Sequence, residues 1–296
     1  MAAPTFTILL TVMRPPDLMV YAIQSVLNQT RRDFDLFIVC DGAPPATVET
    51  ARQIAAQDSR VRVFEFPKGE RHGEAHRHVA LGHAEGQMIG YIADDDLWFP
   101  DHLSQIALLL KDFEFGNTLQ TSPAGDGYRA LADDLADPAI QQRMLTGPFN
   151  IFGPTVAGYR METYRRFPIG WSPAPPDVWT DLAMWRKFLA LPGIVAGTRF
   201  VISSLHFPTH ERLDWTIEQR QQEMKRCAEL IRSPEGREQI RATAQQIKIE
   251  EQVQPEVPET PAVEPEAKSA PGLRERIAAR LGALARRHRT GPDNPG

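Results

Sequence analysis

Short apolar runs alternate with amphipathic segments in the first part of the chain. Each apolar run has the length of a buried strand, and the segments between them have apolar positions at helical spacing. The strands predicted from these runs are residues 6–12, 35–40, 61–66 and 88–92. Helices are predicted between them, the first with Asp17 as its N-cap, the second from Pro44 to about Ala56, and the third from Gly73 to about Gly86. This alternation predicts an α/β fold with a mainly parallel central sheet.

The pattern is less regular in the second half of the chain. Helices are predicted over residues 101–113 and 180–189, and a strand over residues 201–206. Asp214 is the expected N-cap of a long polar helix that reaches about Arg232, and Ser233 begins another. Residues 120–148 have no clear period, and residues 150–159 indicate a loop with one strand.

The composition changes at the C-terminal end. Prolines spaced among glutamates predict a disordered or extended linker over residues 251–271. Residues 272–296 have the pattern of a basic amphipathic helix. The apolar positions that recur at helical spacing among its arginines are Leu273, Ile277, Leu281 and Leu284. We therefore expect a main domain over residues 1–215 and a helical extension over 216–250 before the linker and the tail.

The composition of the whole chain limits the class of protein. The 296 residues carry a formal net charge of −5 and are 42% hydrophobic, which suits one globular domain with appendages and does not indicate nucleic-acid binding. The sequence shows neither a signal peptide nor an apolar stretch of membrane-spanning length. Cys40 and Cys227 match no metal-site spacing, so a reducing, cytoplasmic setting is expected.

Three consecutive carboxylates, Asp94, Asp95 and Asp96, follow the predicted strand 88–92. In an open α/β sheet, ligands bind at the carboxyl ends of the strands. Adjacent carboxylates repel one another and are costly to desolvate, and a divalent cation such as Mg²⁺ or Mn²⁺ removes that cost. A solvated acidic turn is the alternative interpretation, but the apolar residues on both sides favour a metal site.

Two other side chains are candidates for a nucleotide site. Asp41 ends the second predicted strand, where a carboxylate can accept hydrogen bonds from a base or a ribose, although an aspartate before a glycine is also common in turns. Arg77 can pair with phosphate oxygens, or it can be a solvated helix arginine. The nearby histidines match no zinc motif, so we expect them at the surface. They are His72, His76, His78 and His83.

Five blocks occur in order along the chain. They are residues 18–30, Ile38-Val39-Cys40-Asp41-Gly42, residues 75–86, Tyr91-Ile92-Ala93-Asp94-Asp95-Asp96 with Trp98, and Thr180-Asp181-Leu182-Ala183-Met184-Trp185. Together they resemble the inverting family-2 glycosyltransferases with a GT-A fold, over about residues 5–215. The third block is similar to the family's Ala-Arg-Asn-x-Gly-Leu segment. The fourth is similar to its Asp-x-Asp motif, and the fifth to its Glu-Asp-x-x-x-Trp motif.

The resemblance implies a three-layer, Rossmann-like GT-A fold with a mainly parallel central sheet. The patterns beyond it add C-terminal helices and a disordered tail. It implies transfer of a sugar from a nucleotide-diphosphate sugar to an acceptor hydroxyl with inversion, assisted by Mn²⁺ or Mg²⁺. A glycan or lipid-linked acceptor would suit the basic tail, which has the pattern for peripheral contact with the inner face of a membrane. The alternatives are a helix that docks on its own domain or on a second copy, and a solvated, partly helical tail.

The matched positions imply a role for each candidate residue. The implied metal ligands are Asp94, Asp96 and, after the late strand, His206. The implied donor contacts are Asp41, Arg77, Asp94 and Asp95. Asp181 is the implied general base and Asp177 is the second candidate, although an acid in the first turn of a helix is also favoured by the helix dipole.

The chain departs from the family pattern after the first strand, where Thr11-Val12-Met13-Arg14 replaces a frequent Pro-Thr-Tyr-Asn. Two other classes of protein were weighed. A metal-dependent nucleotidyltransferase would have a glycine-rich, lysine-bearing loop at this place, and residues 11–17 contain neither residue type. A catalytically silent nucleotide-sugar-binding module is disfavoured by the intact acidic residues and Asp181.

Overall fold

The computed structural model describes residues 4–125 and 127–249. The strands are Phe6–Val12 (β1), Phe34–Asp41 (β2), Val61–Phe66 (β3), Met88–Ala93 (β4), Leu97–Trp98 (β5), Phe115–Ala124 (β6), Gly127–Leu131 (β7), Ala157–Arg160 (β8), Ala196–Leu205 (β9) and Gln245–Ile247 (β10). The α-helices are Met19–Leu27 (α1), Pro45–Gln57 (α2), Glu74–Leu81 (α3), His102–Asp112 (α4), Pro138–Thr146 (α5), Met161–Tyr164 (α6), Thr180–Leu189 (α7), Ile217–Arg232 (α8) and Pro234–Thr243 (α9). The chain therefore has the α/β architecture that the alternating pattern predicts.

The sheet is mixed: β4, β1, β2 and β3 form a parallel part at one side, whereas β8 pairs antiparallel with β4, and β6 pairs antiparallel with both β8 and β7. β1 lies between β2 and β4 and pairs in parallel with both, and β3 adds to β2. Val12 is paired with Cys40, and Thr11 with Ala93. Because these strands end in register, the segments that follow β1, β2 and β4 emerge at the same edge of the sheet.

Successive side chains along the parallel strands point to opposite faces of the sheet, and this divides the core around these strands into two layers. Ile8 and Leu10 of β1 face one layer, and Leu9 between them faces the other. The first layer packs against α1, α2 and α4, and the second against α3, α5 and α7. This period of two with helices on both faces is what a buried parallel strand requires.

Two helices begin later than their predicted N-caps. α1 has Leu18 at its N-cap position with no side-chain hydrogen bond there, so Asp17 does not cap it. α8 begins after Thr216, which forms a capping box with Gln219, so Asp214 is not its cap. Thr216 caps the helix because its side chain accepts the backbone N–H of Gln219, and the side chain of Gln219 accepts the backbone N–H of Thr216. Asp214 does not form this reciprocal arrangement.

The described residues all belong to one compact unit. It contains the predicted helical extension as well as the sheet, since β10 pairs with β7 after α9. Within the described residues, no helix is long and apolar enough to span a membrane. The predicted linker and amphipathic tail lie outside the described residues.

Candidate active site

A cavity of about 370 Å³ opens at the carboxyl end of the parallel strands. Residues from four separate parts of the chain form its polar wall. They are Arg14 after β1, Arg77 of α3, Asp94 and Asp95 after β4, and Asp181 of α7. The register of β1 and β4 therefore brings predicted donor contacts and the predicted base into a single cavity.

The guanidinium of Arg14 joins the first two acids of the triplet. Its Nε donates to Asp94 Oδ2 at 3.1 Å, and its Nη2 contacts Asp94 Oδ1. Its Nη1 donates to Asp95 Oδ2 at 3.1 Å. Arg220 of α8 reaches the same Asp95 oxygen at 2.9 Å. Two carboxylates are thus balanced by two guanidinium groups.

The contacts with the two arginines oppose the effect of burial on the pKa values of Asp94 and Asp95. Burial raises the pKa of Asp94, and the bonds from Arg14 offset only part of that increase. Burial also acts to raise the pKa of Asp95, but the charges of Arg14 and Arg220 outweigh it and lower the pKa. The guanidinium of Arg14 keeps its charge because, despite burial, the two carboxylates raise its pKa.

Asp96 does not line the cavity and is 1% exposed. Its Oδ1 lies 2.9 Å from Nδ1 of His206, and its Oδ2 accepts hydrogen bonds from Thr155 and, at 3.3 Å, from Gln120. Burial acts to lower the pKa of His206, but the adjacent Asp96 carboxylate outweighs it and raises the pKa. Asp96 and His206 are therefore brought together, as predicted for two ligands of one metal.

Carboxylate oxygens are suitable ligands for Mn²⁺ or Mg²⁺, and an imidazole nitrogen beside them suits Mn²⁺ better than the harder Mg²⁺, so the residue types at this place fit a metal. The third predicted ligand, Asp94, is instead directed to Arg14. In the part of the chain that the structure describes, no group of three His, Cys, Asp or Glu side chains is arranged to hold a metal ion. A metal bound here would have to replace hydrogen bonds that the acids now make within the protein.

Asp181 lies in the first turn of α7 and faces the cavity. Its Oδ1 accepts the backbone N–H of Leu182 at 2.9 Å, and its Oδ2 accepts Nδ2 of Asn150 at 3.0 Å. Burial raises the pKa of Asp181, and these bonds and the charge of Arg77 offset the increase only in part. A carboxylate with a raised pKa and a fixed orientation is suited to accept a proton.

Arg77 is held between the strand edge and an aromatic ring. Its Nε donates to Thr11 Oγ1 at 3.1 Å, its Nη2 donates to the carbonyl of His72 at 3.3 Å, and its guanidinium lies 4.7 Å from the ring of Trp171. Burial lowers its pKa, yet an arginine remains charged in a protein. These contacts are not those of a solvated helix arginine, and they present a fixed positive charge to the cavity.

Asp41 is not among the residues that line the cavity. It is 0% exposed, and its carboxylate accepts Nζ of Lys68 at 3.0 Å and the backbone N–H of Gly69 at 2.6 Å. Gly73 has a φ of 71°, and a Cβ there would lie 2.6 Å from the Asp41 carboxylate. Asp41 is thus a buried carboxylate that orders the loop before α3, and its contact with a sugar donor stays a prediction.

The histidines near α3 have separate surroundings. His76 stacks on Phe66, and His78 hydrogen-bonds the hydroxyl of Tyr164 at 2.8 Å. His83 lies against Phe64, and only His72 of the four lines the cavity. Their contacts are those of packing and loop residues, as expected from the absence of a zinc motif.

The family model of Glycosyl transferase family 2 matches residues 7–167, more than half of the chain. The chain belongs to glycosyl transferase family 2. Among curated relatives, it is 29% identical over 175 residues to an uncharacterized glycosyltransferase of Nostoc sp., covering 54% of this chain and 52% of that protein. It is 31% identical over 102 residues to the UDP-Glc:alpha-D-GlcNAc-diphosphoundecaprenol beta-1,3-glucosyltransferase WfgD of Escherichia coli, covering 32% and 38%. The matched segments thus span about half or less of these relatives.

Solved structures show the same fold. S. aureus TarS, residues 1–349, aligns with a TM-score of 0.55 at 13% identity, covering 78% of this chain and 66% of that one. The mannosyltransferase PcManGT of Pyrobaculum calidifontis, in complex with GDP-Man and Mn²⁺, aligns with a TM-score of 0.52 at 18% identity, covering 81% and 69%. The predicted GT-A fold of this family 2 chain is confirmed.

Sequence reasoning missed three residues of the site. Arg14 stands where family 2 members often carry asparagine, and that replacement was the signal that could have identified it. Asn150 and Arg220 had no such signal. Asn150 reaches Asp181 from a separation of 31 residues, and Arg220 reaches Asp95 from 125 residues. Both contacts depend on tertiary packing.

Proposed function

We propose that this chain transfers a sugar from a nucleotide-diphosphate sugar to an acceptor hydroxyl, with inversion at the anomeric carbon. The observation that carries the proposal is the composition of one cavity at the sheet edge. It combines two acids of the Asp-x-Asp-like block with the charged groups of Arg14 and Arg77 and with Asp181, a carboxylate of raised pKa.

Asp181 is suited to act as the general base. As the acceptor oxygen attacks the anomeric carbon, its proton passes to the Asp181 carboxylate, which Leu182 and Asn150 hold in place. Attack occurs opposite the departing diphosphate in a single displacement, and this inverts the configuration of the sugar.

The leaving diphosphate carries growing negative charge, which fixed cations stabilise. Arg77 is fixed by Thr11 and His72 and supplies one positive charge at the cavity wall. Asp94, Asp96 and His206 would hold a divalent metal. Mn²⁺ or Mg²⁺ bound there would supply Lewis-acid stabilisation of the phosphate oxygens.

Related proteins indicate which substrates to test. WfgD is named for transfer from UDP-Glc to a diphosphoundecaprenol-linked GlcNAc, and structures similar in fold hold UDP-GlcNAc or GDP-Man. Another relative is a succinoglycan biosynthesis protein of Rhizobium meliloti. We therefore propose a UDP- or GDP-sugar donor, a glycan or lipid-linked acceptor, and action at the cytoplasmic side of a membrane in polysaccharide biosynthesis.

The test is a panel of UDP-, GDP- and dTDP-sugars incubated with the purified chain and Mn²⁺ or Mg²⁺, with release of the nucleoside diphosphate as the readout. Turnover of one donor is expected, with loss of turnover in excess chelator and in Asp96→Ala. Asp101→Ala is the matched control, because Asp101 pairs with Arg241 instead. Nucleotide binding without turnover of any donor would indicate a silent binding module, and full turnover in chelator would exclude the metal.

A further inference from the structure

We propose that Arg14 is an internal counter-cation, which competes with a divalent metal for Asp94 and thereby sets the metal affinity of the site. The proposal concerns the metal site of the proposed glycosyltransferase and rests on that function. It starts from the position of one side chain. Arg14 makes contacts with both oxygens of Asp94 and also with Asp95, and both acids line the cavity.

The charge balance prevents Arg14 and a divalent metal from binding Asp94 at the same time. Asp94 and Asp95 supply two negative charges, and Arg14 and Arg220 supply two positive charges. A divalent ion that approached this neutral cluster would meet a guanidinium already in place, with like-charge repulsion at close range. The metal can therefore use Asp94 only if Arg14 leaves it.

Arg14 and Arg220 differ in how freely their side chains can move away from the two acids. The side chain of Arg14 is 39% exposed and lines the cavity, whereas that of Arg220 is 14% exposed. The backbone of Arg14 is fixed by a hydrogen bond from Thr47 to its carbonyl at 2.8 Å, so the side chain can turn while the backbone remains. Arg220 would still balance the charge of Asp95 after the side chain of Arg14 turns into the cavity.

The test measures Mn²⁺ affinity of the full chain without nucleotide, from the electron paramagnetic resonance signal of free Mn²⁺. Arg14→Gln should bind Mn²⁺ at least about tenfold more tightly than the unaltered chain, because the metal no longer has to displace a guanidinium to reach Asp94. Arg14→Lys keeps the charge but loses the two-pronged contact, so a smaller gain is expected. Arg52→Gln is the matched control, because Arg52 forms a two-pronged pair with Glu65 at the surface.

Equal affinity in all four chains, weaker binding in Arg14→Gln, or no Mn²⁺ binding by any chain would overturn the proposal. Thermal unfolding checks that each variant is folded. If Arg14→Gln does not fold, Arg14→Lys decides alone, with tighter binding in support and unchanged or weaker binding against. If Arg14→Gln binds Mn²⁺ more tightly but no chain turns over a nucleotide sugar, this inference stands and the proposed function fails. If the chain turns over a nucleotide sugar but Arg14→Gln gains no Mn²⁺ affinity, the proposed function stands and this inference fails.

Discussion

Asp181 combines a raised pKa with two hydrogen bonds that fix its carboxylate at the cavity wall. Asp181→Asn keeps the shape of the side chain and removes its ability to accept the proton. We expect donor affinity to stay within a few-fold, while transfer falls by about 10²–10⁴, the usual contribution of a general base. Donor affinity by calorimetry and turnover at saturating donor measure the two effects separately.

Asp177→Asn is the matched control, because Asp177 lies four positions earlier on the same segment and is the second candidate for the base. It should transfer sugar at close to the unaltered rate. If Asp181→Asn loses donor affinity but transfers normally at saturation, Asp181 belongs to the donor site.

Asn150 should control the pH at which the base becomes active. Its Nδ2 donates to Asp181, while its Oδ1 is buried with no hydrogen-bond partner among the described residues. A donor stabilises the charged carboxylate, so Asn150→Ala should raise the pKa of Asp181 further. Transfer requires the deprotonated form, and the acidic limb of the turnover–pH profile should therefore move to higher pH.

The exposed Asn28 provides the matched control for this shift. Asn28→Ala should leave the limb where it is. A uniform fall in turnover for Asn150→Ala, with no movement of the limb, would mean that Asn150 acts only through packing.

At the scale of single residues, motif and pattern identified the site side chains whose position in the fold is determined by the local sequence. Asp94 and Asp95 lie at the strand end because β4 is a buried strand that ends at Ala93, and Asp181 lies at a helix start. Pattern could not show that Asp41 is enclosed by Lys68 and Gly69. It also could not pair Arg14 with Asp94, since a long side chain finds its partner only in the folded chain.

At the scale of elements, β1 to β4 were predicted to within one residue at each end. β9 begins at Ala196 and not at residue 201 as predicted, and the polar strand β6 was missed. β6 buries Asn117, Thr118 and Thr121 in the sheet. Asn117 accepts the hydroxyl of Thr198 at 2.9 Å, and Thr118 accepts that of Ser203 at 2.7 Å. Because these polar groups form hydrogen bonds with the neighbouring strand, the segment can be buried. It therefore lacks the alternation of apolar and polar residues from which a strand is predicted.

The start of α4 should make the fold sensitive to acid. His102 is fully buried, stacks on Trp98 at 4.1 Å and contacts Ser203 Oγ at 2.8 Å, and burial lowers its pKa to about 3. Between this pKa and the ordinary value of 6.5, the unfolded chain binds a proton that the folded chain does not. Stability is therefore lost as the pH falls through this window, by about 2 kcal/mol from pH 7 to pH 5.

His102→Phe keeps an aromatic ring against Trp98 and removes the titrating group. Denaturant unfolding at pH 7 and at pH 5 should show a loss on acidification smaller by about 2 kcal/mol than in the unaltered chain. His83→Phe, at an exposed position, should keep the full loss. The same loss in His102→Phe would show that other groups cause the acid sensitivity.

At the scale of the whole molecule, the polar C-terminal helices belong to the same unit as the sheet. Arg220 of α8 contacts Asp95, and Arg241 of α9 pairs with Asp101 at 2.8 Å. Few apolar residues anchor them, among them Met224, Ile231 and Ile240. Sequence could predict these helices but not their place, because their attachment uses long charged side chains as well as these scattered apolar positions.

The tail leads to a prediction about location. In the sequence, the predicted stripe of Leu273, Ile277, Leu281 and Leu284 lies among arginines and follows the predicted linker over residues 251–271. Basic amphipathic segments bind anionic membranes through apolar burial and charge together. We therefore expect the full chain to float with anionic liposomes in a density gradient, and a chain ending at Val253 to remain in the soluble fraction.

A matched full-length variant, Ile277→Gln with Leu281→Gln, keeps the arginines and favours a helix while it interrupts the stripe. It should float less than the unaltered chain, because charge alone gives a weak and salt-sensitive attraction. Undiminished flotation of this variant would assign the binding to the arginines alone. Equal flotation of the full and shortened chains, or of neither, would remove the tail as an anchor and place any membrane contact in the domain itself.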